Sequence, residues 1–499
     1  MLAAVLALAV LLRFGGIGEK SLWFDEAYAL FVANRSLAEM LELVRSTDTH
    51  PPLYYIVLSF WVRWFGTSEA ALRSMGAVLS TATVAGTWWL GRRLGGGQVG
   101  MVAGFLIAVA PFHIRAAQDA RMYPLLGLLT LASWVALDTA LRGRRTAWAA
   151  YVLATVLMMY THYFAVLNLL AQGIVVMRTA PRGRLSWLVS QLVILIVFLP
   201  WAPIVVDAGL TGRGWPHWRP AVGWDNLTAV LGMLSFGGSA FGFEDYFQSG
   251  YASLGRQVLV LAPFVALLLA GLFSYRWCSR TRWLCFGYLV VPIGVAFLFS
   301  FRHNVFYARY FSFVYPAFAV VLAEGILRVS LRFRAHLQRA VTLGLILLFL
   351  SVNGWVLNEM YSNPRLAPFN WRGAAKLVSA AAGPNDIVVM IPGVAYIPFS
   401  YYFRGPQRVE FLTPREIYAA SSELLVKNAA RDPGDRAIFR QVARHHEVLW
   451  IVATGPYPPG MEQRLTSATA GIYGITGNVD FRGVKVVKLF RLPAWNNSH

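Results

Sequence analysis

The chain has 499 residues, of which 57% are hydrophobic, against about 45–50% in an average soluble domain. That surplus excludes an ordinary water-soluble fold and predicts a polytopic α-helical membrane protein. The net charge of +20 suggests nucleic acid as a partner, but the positive residues are mostly arginines in short clusters between apolar runs. Orientation in a bilayer puts them there, which excludes nucleic acid as the reason for the charge.

In chain order, residues 1–14 are apolar, with no basic stretch before them and no small-residue cleavage site after them, so they read as a first span rather than a removed signal. Next comes Ser21-Leu22-Trp23-Phe24-Asp25-Glu26-Ala27-Tyr28, continued by Asp48-Thr49-His50-Pro51-Pro52-Leu53-Tyr54-Tyr55. Adjacent carboxylates just beyond an apolar segment are costly unless they are hydrated, paired or used. Asp25 or Glu26 is equally suited to cap a helix beginning near Ala27. The paired prolines hold the chain extended, so His50 is presented rigidly at the head of the next helix.

Apolar windows predict spans at roughly 2–14, 72–91, 98–113, 122–141, 147–161, 162–177, 185–204, 256–275, 283–301, 305–327 and 340–357. The run 147–177 is read as two helices because of its length and its Thr161-His162-Tyr163 break. Arginines gather at Arg92-Arg93, Arg142 to Arg145, Arg178 to Arg184, Arg276 to Arg282 and Arg328 to Arg339. With eleven spans and a cytoplasmic N-terminus all five clusters face inward, as the positive-inside rule asks. Leu53 to Phe65 is too short to span and would break this pattern if it did, so it is placed as a juxtamembrane or re-entrant helix on the outer face.

Residues 1–358 thus form a transmembrane module, with a first outer loop at 15–68 and an outer lid loop at 205–255. The lid carries Gly hinges, aromatics and His217. From 359 to 499 the pattern turns to a helix at 371–382, a strand at 386–392, a helix at 436–446 and strands at 448–454 and 484–492, a small extracytoplasmic α/β domain. His445-His446 reads as a solvated helix end, and Cys278 and Cys285 as packing residues. Internal repeats are not evident, so a repeat-built transporter gains no support.

The remaining outward segments carry Arg115 with Gln118-Asp119-Ala120-Arg121-Met122-Tyr123, and Arg302 and His303 with Tyr307 and Arg309-Tyr310. Outward arginines oppose the topology rule and need another reason, and a guanidinium fork on a phosphate supplies one. Asp119 could pair with Arg115 or Arg121 instead, and Tyr123 and Tyr310 are equally suited to an interface belt.

With those residues assembled, the chain resembles the GT-C glycosyltransferases of family 39, the relatives of protein O-mannosyltransferases and of the aminoarabinose transferase acting on lipid A. Phe24-Asp25-Glu26, His50-Pro51-Pro52-Leu53-Tyr54-Tyr55, Ala120-Arg121-Met122-Tyr123 and Ala308-Arg309-Tyr310 carry the resemblance, in order over roughly residues 1–330. It implies an enzyme of the bacterial inner membrane that moves a sugar from a polyprenyl-phosphate carrier to an acceptor hydroxyl at the outer face, usually with inversion. Asp25 resembles the base and Glu26 its partner. His50, Arg121, Arg309, Arg115, Tyr123 and Tyr310 fall to the donor phosphate, and Tyr54, Tyr55, Asp119, His162, His303 and His217 to substrate.

Where the aminoarabinose branch has a metal-binding Glu and a phosphate-binding Lys, this chain has Thr49 and His50, so a fixed divalent metal does not follow. Asp25, Glu26 and His50 are the residues on offer to one. The partners implied are the bilayer, the lipid-linked donor and a lipid, glycan or protein acceptor. A transporter or flippase of lipid-linked sugars is the alternative; it should place charges deep in the spans, and the windows look nearly charge-free.

Overall fold

A computed structural model describes residues 1–47, 50–211, 222–237, 254–303, 305–363, 369–411, 435–454, 461–493 and 495. The described chain divides into two units: Met1–Ile17 with His50–Asn363, and Gly18–Thr49 with Pro364–His499.

The first unit is helical, and helices stand at all eleven expected windows. Five are long and apolar enough to cross a bilayer: Tyr123–Leu141, Pro181–Phe198, Ser279–Ser300, Ala308–Ser330 and Ala335–Ser362. The bent pair Gly97–Ala108 and Pro111–Ala117, 60° apart, makes a sixth if it counts as one span. Leu2–Phe14, Leu53–Phe65, Ala147–Met159, Ala165–Thr179 and Val258–Leu272 are apolar but shorter. The run 147–177 is indeed two helices, because the chain turns at 160–164. Within Ala308–Ser330 94% of the most apolar window is buried, whereas only 17% and 22% are buried in Pro181–Phe198 and Ala335–Ser362. The first is therefore the central element, and the other two turn leucine and isoleucine faces outward.

Helices come close where side chains are smallest. A Cβ on Gly100 would lie 2.6 Å from the Trp88 carbonyl oxygen, so Glu69–Gly95 and Gly97–Ala108 pack backbone to backbone. Gly271 and Gly325 do the same for Leu254–Leu272 against Tyr315–Ser330. Such small-residue seams are how helices associate where lipid removes the hydrophobic drive.

The spans are not charge-free. Arg13, Arg73, Asp138 and Glu324 are all buried in helices. Asp138 accepts from Arg93 Nε at 2.7 Å and Arg142 Nε at 2.9 Å, and its other oxygen lies 3.4 Å from Arg280 Nε. Arg178 lies over the Trp283 ring and Arg328 over the Tyr275 ring. Through these contacts all five arginine clusters meet at one set of helix ends.

The second unit holds a five-stranded sheet of order β2-β1-β3-β5-β4, with β1 Ile387–Ile391, β2 Arg408–Phe411, β3 Val448–Thr454, β4 Tyr473–Asp480 and β5 Val484–Arg491. β1 runs parallel to β2 and β3, and β5 is antiparallel to β3 and β4. Strand β1 is one apolar run because both of its faces are covered. Val388 and Met390 pack with Trp371, Val378 and Phe399, while Ile387, Val389 and Ile391 pack with Phe439 and Val442. The sequence pattern missed β2, only four residues long, and β4, whose Tyr-Gly-Ile-Thr-Gly-Asn-Val-Asp lacks a β-branched run.

Residues 18–47, expected within the first outer loop of the membrane module, pack with this sheet unit instead. Ser21 Oγ donates to the Phe369 carbonyl at 2.6 Å, Leu22 N–H donates to Tyr402 Oη at 2.7 Å, and Arg372 donates to the Gly18 and Glu19 carbonyls. His446 lies 2.7 Å from the Asn385 carbonyl through Nδ1, so it ties the helix end to the turn before β1.

Candidate active site

Four separated segments of the first unit bring together five of the residues singled out above. Leu53 N–H donates to the Tyr160 carbonyl at 3.0 Å, which docks the His50-Pro51-Pro52 corner on the break between Ala147–Met159 and Ala165–Thr179. His162 sits in that break. Its Nδ1 accepts from Phe164 N–H at 3.0 Å, so the proton of the neutral ring is on Nε2. The His50 and His162 ring centres are 5.2 Å apart.

Tyr123, the first residue of Tyr123–Leu141, stands 6.2 Å from His162 and 6.2 Å from Tyr310. Tyr310 in turn lies 5.5 Å from His162 and 5.1 Å from Phe164. The Arg309 guanidinium lies 4.7 Å from the Tyr307 ring centre, 5.9 Å from Tyr310 and 6.0 Å from Tyr123. Rings at these distances attract a cation and hold the guanidinium beside them. Tyr307, named above in the same outward group as Arg309 but given no role of its own, and Phe164, which was not singled out, complete this cluster.

Tyr123 and Asp138 lie near opposite ends of one 19-residue helix. At 1.5 Å per residue that helix is about 28 Å long, the thickness of a bilayer's apolar core. The cluster therefore occupies the opposite side of the helical unit from the arginine-rich ends.

Arg121 is buried in the turn leading into Tyr123, where its N–H donates to the Asp119 carbonyl at 2.8 Å. Tyr54 and Tyr55 are buried together, edge to face at 5.6 Å, and the His303 ring lies tilted 5.4 Å from that of Phe299. Arg115 is exposed on the short helix Pro111–Ala117. His217 and the Asp48-Thr49 pair lie outside the described residues, as do 212–221 and 238–253 of the expected lid.

Asp25 and Glu26 belong to the second unit, in the first turn of Phe24–Ala33. Glu26, buried, accepts from Trp23 N–H at 3.2 Å, so the cap expected of this pair is made by Glu26. Asp25, one position earlier, is partly exposed. Among the described residues no group of three His, Cys, Asp or Glu side chains is arranged to hold a metal ion.

Residues 49–204 match the family model of dolichyl-phosphate-mannose-protein mannosyltransferase. The chain's fold is shared with ArnT from Cupriavidus metallidurans, solved in the apo state and bound to undecaprenyl phosphate, at TM-score 0.64 and 14% identity over 97% of each chain. It is also similar to the Archaeoglobus fulgidus oligosaccharyltransferase in its apo form, TM-score 0.57 and 12% identity over 97% of this chain and 74% of that one. Arabinofuranosyltransferase AftD from Mycobacteria gives TM-score 0.56 and 15% identity, over 99% of this chain and 40% of that one. No curated protein matches in sequence.

Proposed function

We propose that the protein takes a sugar from a polyprenyl-phosphate donor and joins it to an acceptor hydroxyl at the outer face of the bacterial inner membrane, with inversion. The N-terminus is then cytoplasmic and the sheet unit extracytoplasmic. The observation that carries this reading is the convergence of His50, Tyr123, His162, Arg309 and Tyr310 from four segments, on the side of the helical unit away from the arginine-rich ends. The undecaprenyl phosphate bound by the similar ArnT supports the choice of donor.

In this reading Arg309, Arg121 and His50 face the donor phosphate, with Arg115, Tyr123 and Tyr310 around it. Asp25 is the base, and Glu26 holds the first turn that presents it. Tyr54, Tyr55, Asp119, His162 and His303 are the positions assigned to the sugar and acceptor. As the acceptor oxygen bonds to the anomeric carbon, its proton passes to the Asp25 carboxylate. The anomeric C–O bond breaks with its electron pair on the phosphate. Charge growing on that leaving oxygen is what fixed guanidinium groups stabilise best, because they need no reorganisation. The carrier's tail, held in the bilayer, supplies the orientation.

The test is incubation of the reconstituted protein with radiolabelled undecaprenyl-phosphate sugars and a membrane extract as acceptor. Wild type should strip label from the carrier, and Asp25→Asn should abolish release while undecaprenyl phosphate still binds. Turnover retained in Asp25→Asn would remove the base assignment. Movement of intact carrier without release would replace the enzyme by a flippase.

A further inference from the structure

Arg13 is fully buried at the end of the first apolar helix, and all five of its N–H groups are matched. Nε donates to Ser80 Oγ at 2.7 Å. Nη1 donates to the Ala9 and Ala108 carbonyls at 3.1 and 3.0 Å, and Nη2 to the Ile107 carbonyl at 3.1 Å and to His113 Nδ1 at 3.0 Å. Among the described residues no carboxylate pairs with it. What stands in for a counter-ion is the last turn of Gly97–Ala108, whose end carbonyls carry the negative pole of the helix.

That helix stops in a place where stopping is costly. Its axis bends by 60° into Pro111–Ala117, and carbonyls released by such a break find no water at membrane depth. Arg13 supplies donors to two of them.

The capping is mutual. Gln118, just past the bent helix, sets its Nε2 against the Gly15, Arg13 and Leu12 carbonyls at 2.8, 3.2 and 3.4 Å, which closes the end of the first helix. Gly76 completes the lock, since a Cβ there would lie 2.6 Å from the Ala117 carbonyl oxygen and 3.4 Å from that of Asp119. Two residues after Asp119 the chain reaches Arg121.

We propose that Arg13 is a positioning residue for the donor-phosphate site: with Gln118 as its counterpart, it fixes the segment 115–122 and through it the Arg121 guanidinium. This rests on the reading of Arg121 given above. It also accounts for a buried arginine that makes no ion pair, because a hydrophobic residue of similar size would leave the broken helix end uncapped.

The probe is undecaprenyl phosphate, bound to the purified full-length protein, with hydrogen exchange of residues 111–122 read in parallel. Affinity is a property of the folded molecules, so loss of stability alone lowers the yield without moving Kd. Arg13→Met should weaken binding about tenfold and Gln118→Leu severalfold, with faster exchange in 111–122. Arg13→Lys, with three donors instead of five, should fall between wild type and Arg13→Met. Wild-type affinity in both Arg13→Met and Gln118→Leu overturns the proposal; if Arg13→Met does not fold, wild-type affinity in both Arg13→Lys and Gln118→Leu does so. Arg121→Gln separates the two failures. Normal binding by Arg121→Gln means that the donor-site reading has failed and the proposal with it. Lost binding by Arg121→Gln, with none lost at Arg13 and Gln118, overturns the proposal alone.

Discussion

At the scale of single residues, Arg309 is the side chain whose surroundings say most about a ligand. Three tyrosine faces lie within about 6 Å of its guanidinium and hold a positive charge in the cluster, where the proposed donor phosphate would meet it. A hydrogen bond to a charged partner contributes roughly 1.5–3 kcal/mol, which corresponds to about a tenfold to hundredfold change in affinity. Arg309→Met should therefore weaken undecaprenyl phosphate binding by at least about tenfold, measured by titration calorimetry in detergent. Arg309→Lys should recover only part of it, since a point charge keeps the attraction and loses the fork. Equal affinities in wild type and Arg309→Met would take Arg309 out of the donor site.

Among the elements, the seam between Leu254–Leu272 and Tyr315–Ser330 bears most on the cluster, because the second helix continues directly from the turn holding Arg309 and Tyr310. A Cβ on Gly271 would collide with the Val321 carbonyl, and one on Gly325 with the Leu267 carbonyl. Neither obstacle is a flexible side chain, so the helices must separate. Gly271→Ala or Gly325→Ala should each cost about 1–3 kcal/mol, as overpacking does, and lower the thermal midpoint in detergent by a few degrees. An unchanged midpoint would mean that the seam is looser than described. The short helix Leu53–Phe65 has 13 residues and rises only about 20 Å, under the 30 Å or so of a bilayer core.

For the molecule as a whole, the arginine clusters make orientation measurable. Asp138 joins three of them, and Arg178 and Arg328 bring in the others, so they must all lie on one side. In a Cys278→Ser background, a cysteine at Arg144 should react with a membrane-impermeant thiol reagent only after cells are opened, whereas one at Asn478 should react in intact spheroplasts. The reverse pattern would invert the topology and move the proposed chemistry to the cytosol. Cys278 must be removed because it is exposed; Cys285 is buried and can stay.

The sequence by itself determined the membrane class, the position of every long apolar helix among the described residues, and five of the residues that meet in the cluster. These are properties of composition and spacing: a bilayer demands apolar length, and outward arginines break a charge rule whatever their neighbours. Only the tertiary structure decided which of them meet. Ring contacts among His50, Tyr123, His162 and Tyr310 depend on helices separated by up to 260 residues in sequence (310 − 50). The packing of residues 18–47 with the C-terminal sheet unit follows from partners more than 340 residues away, such as Phe369 for Ser21. Arg13 was legible only as one charge near a helix end. Its meaning lies in carbonyls released by a bend almost a hundred residues later, and hydropathy records how apolar a residue is, not which broken helix it repairs.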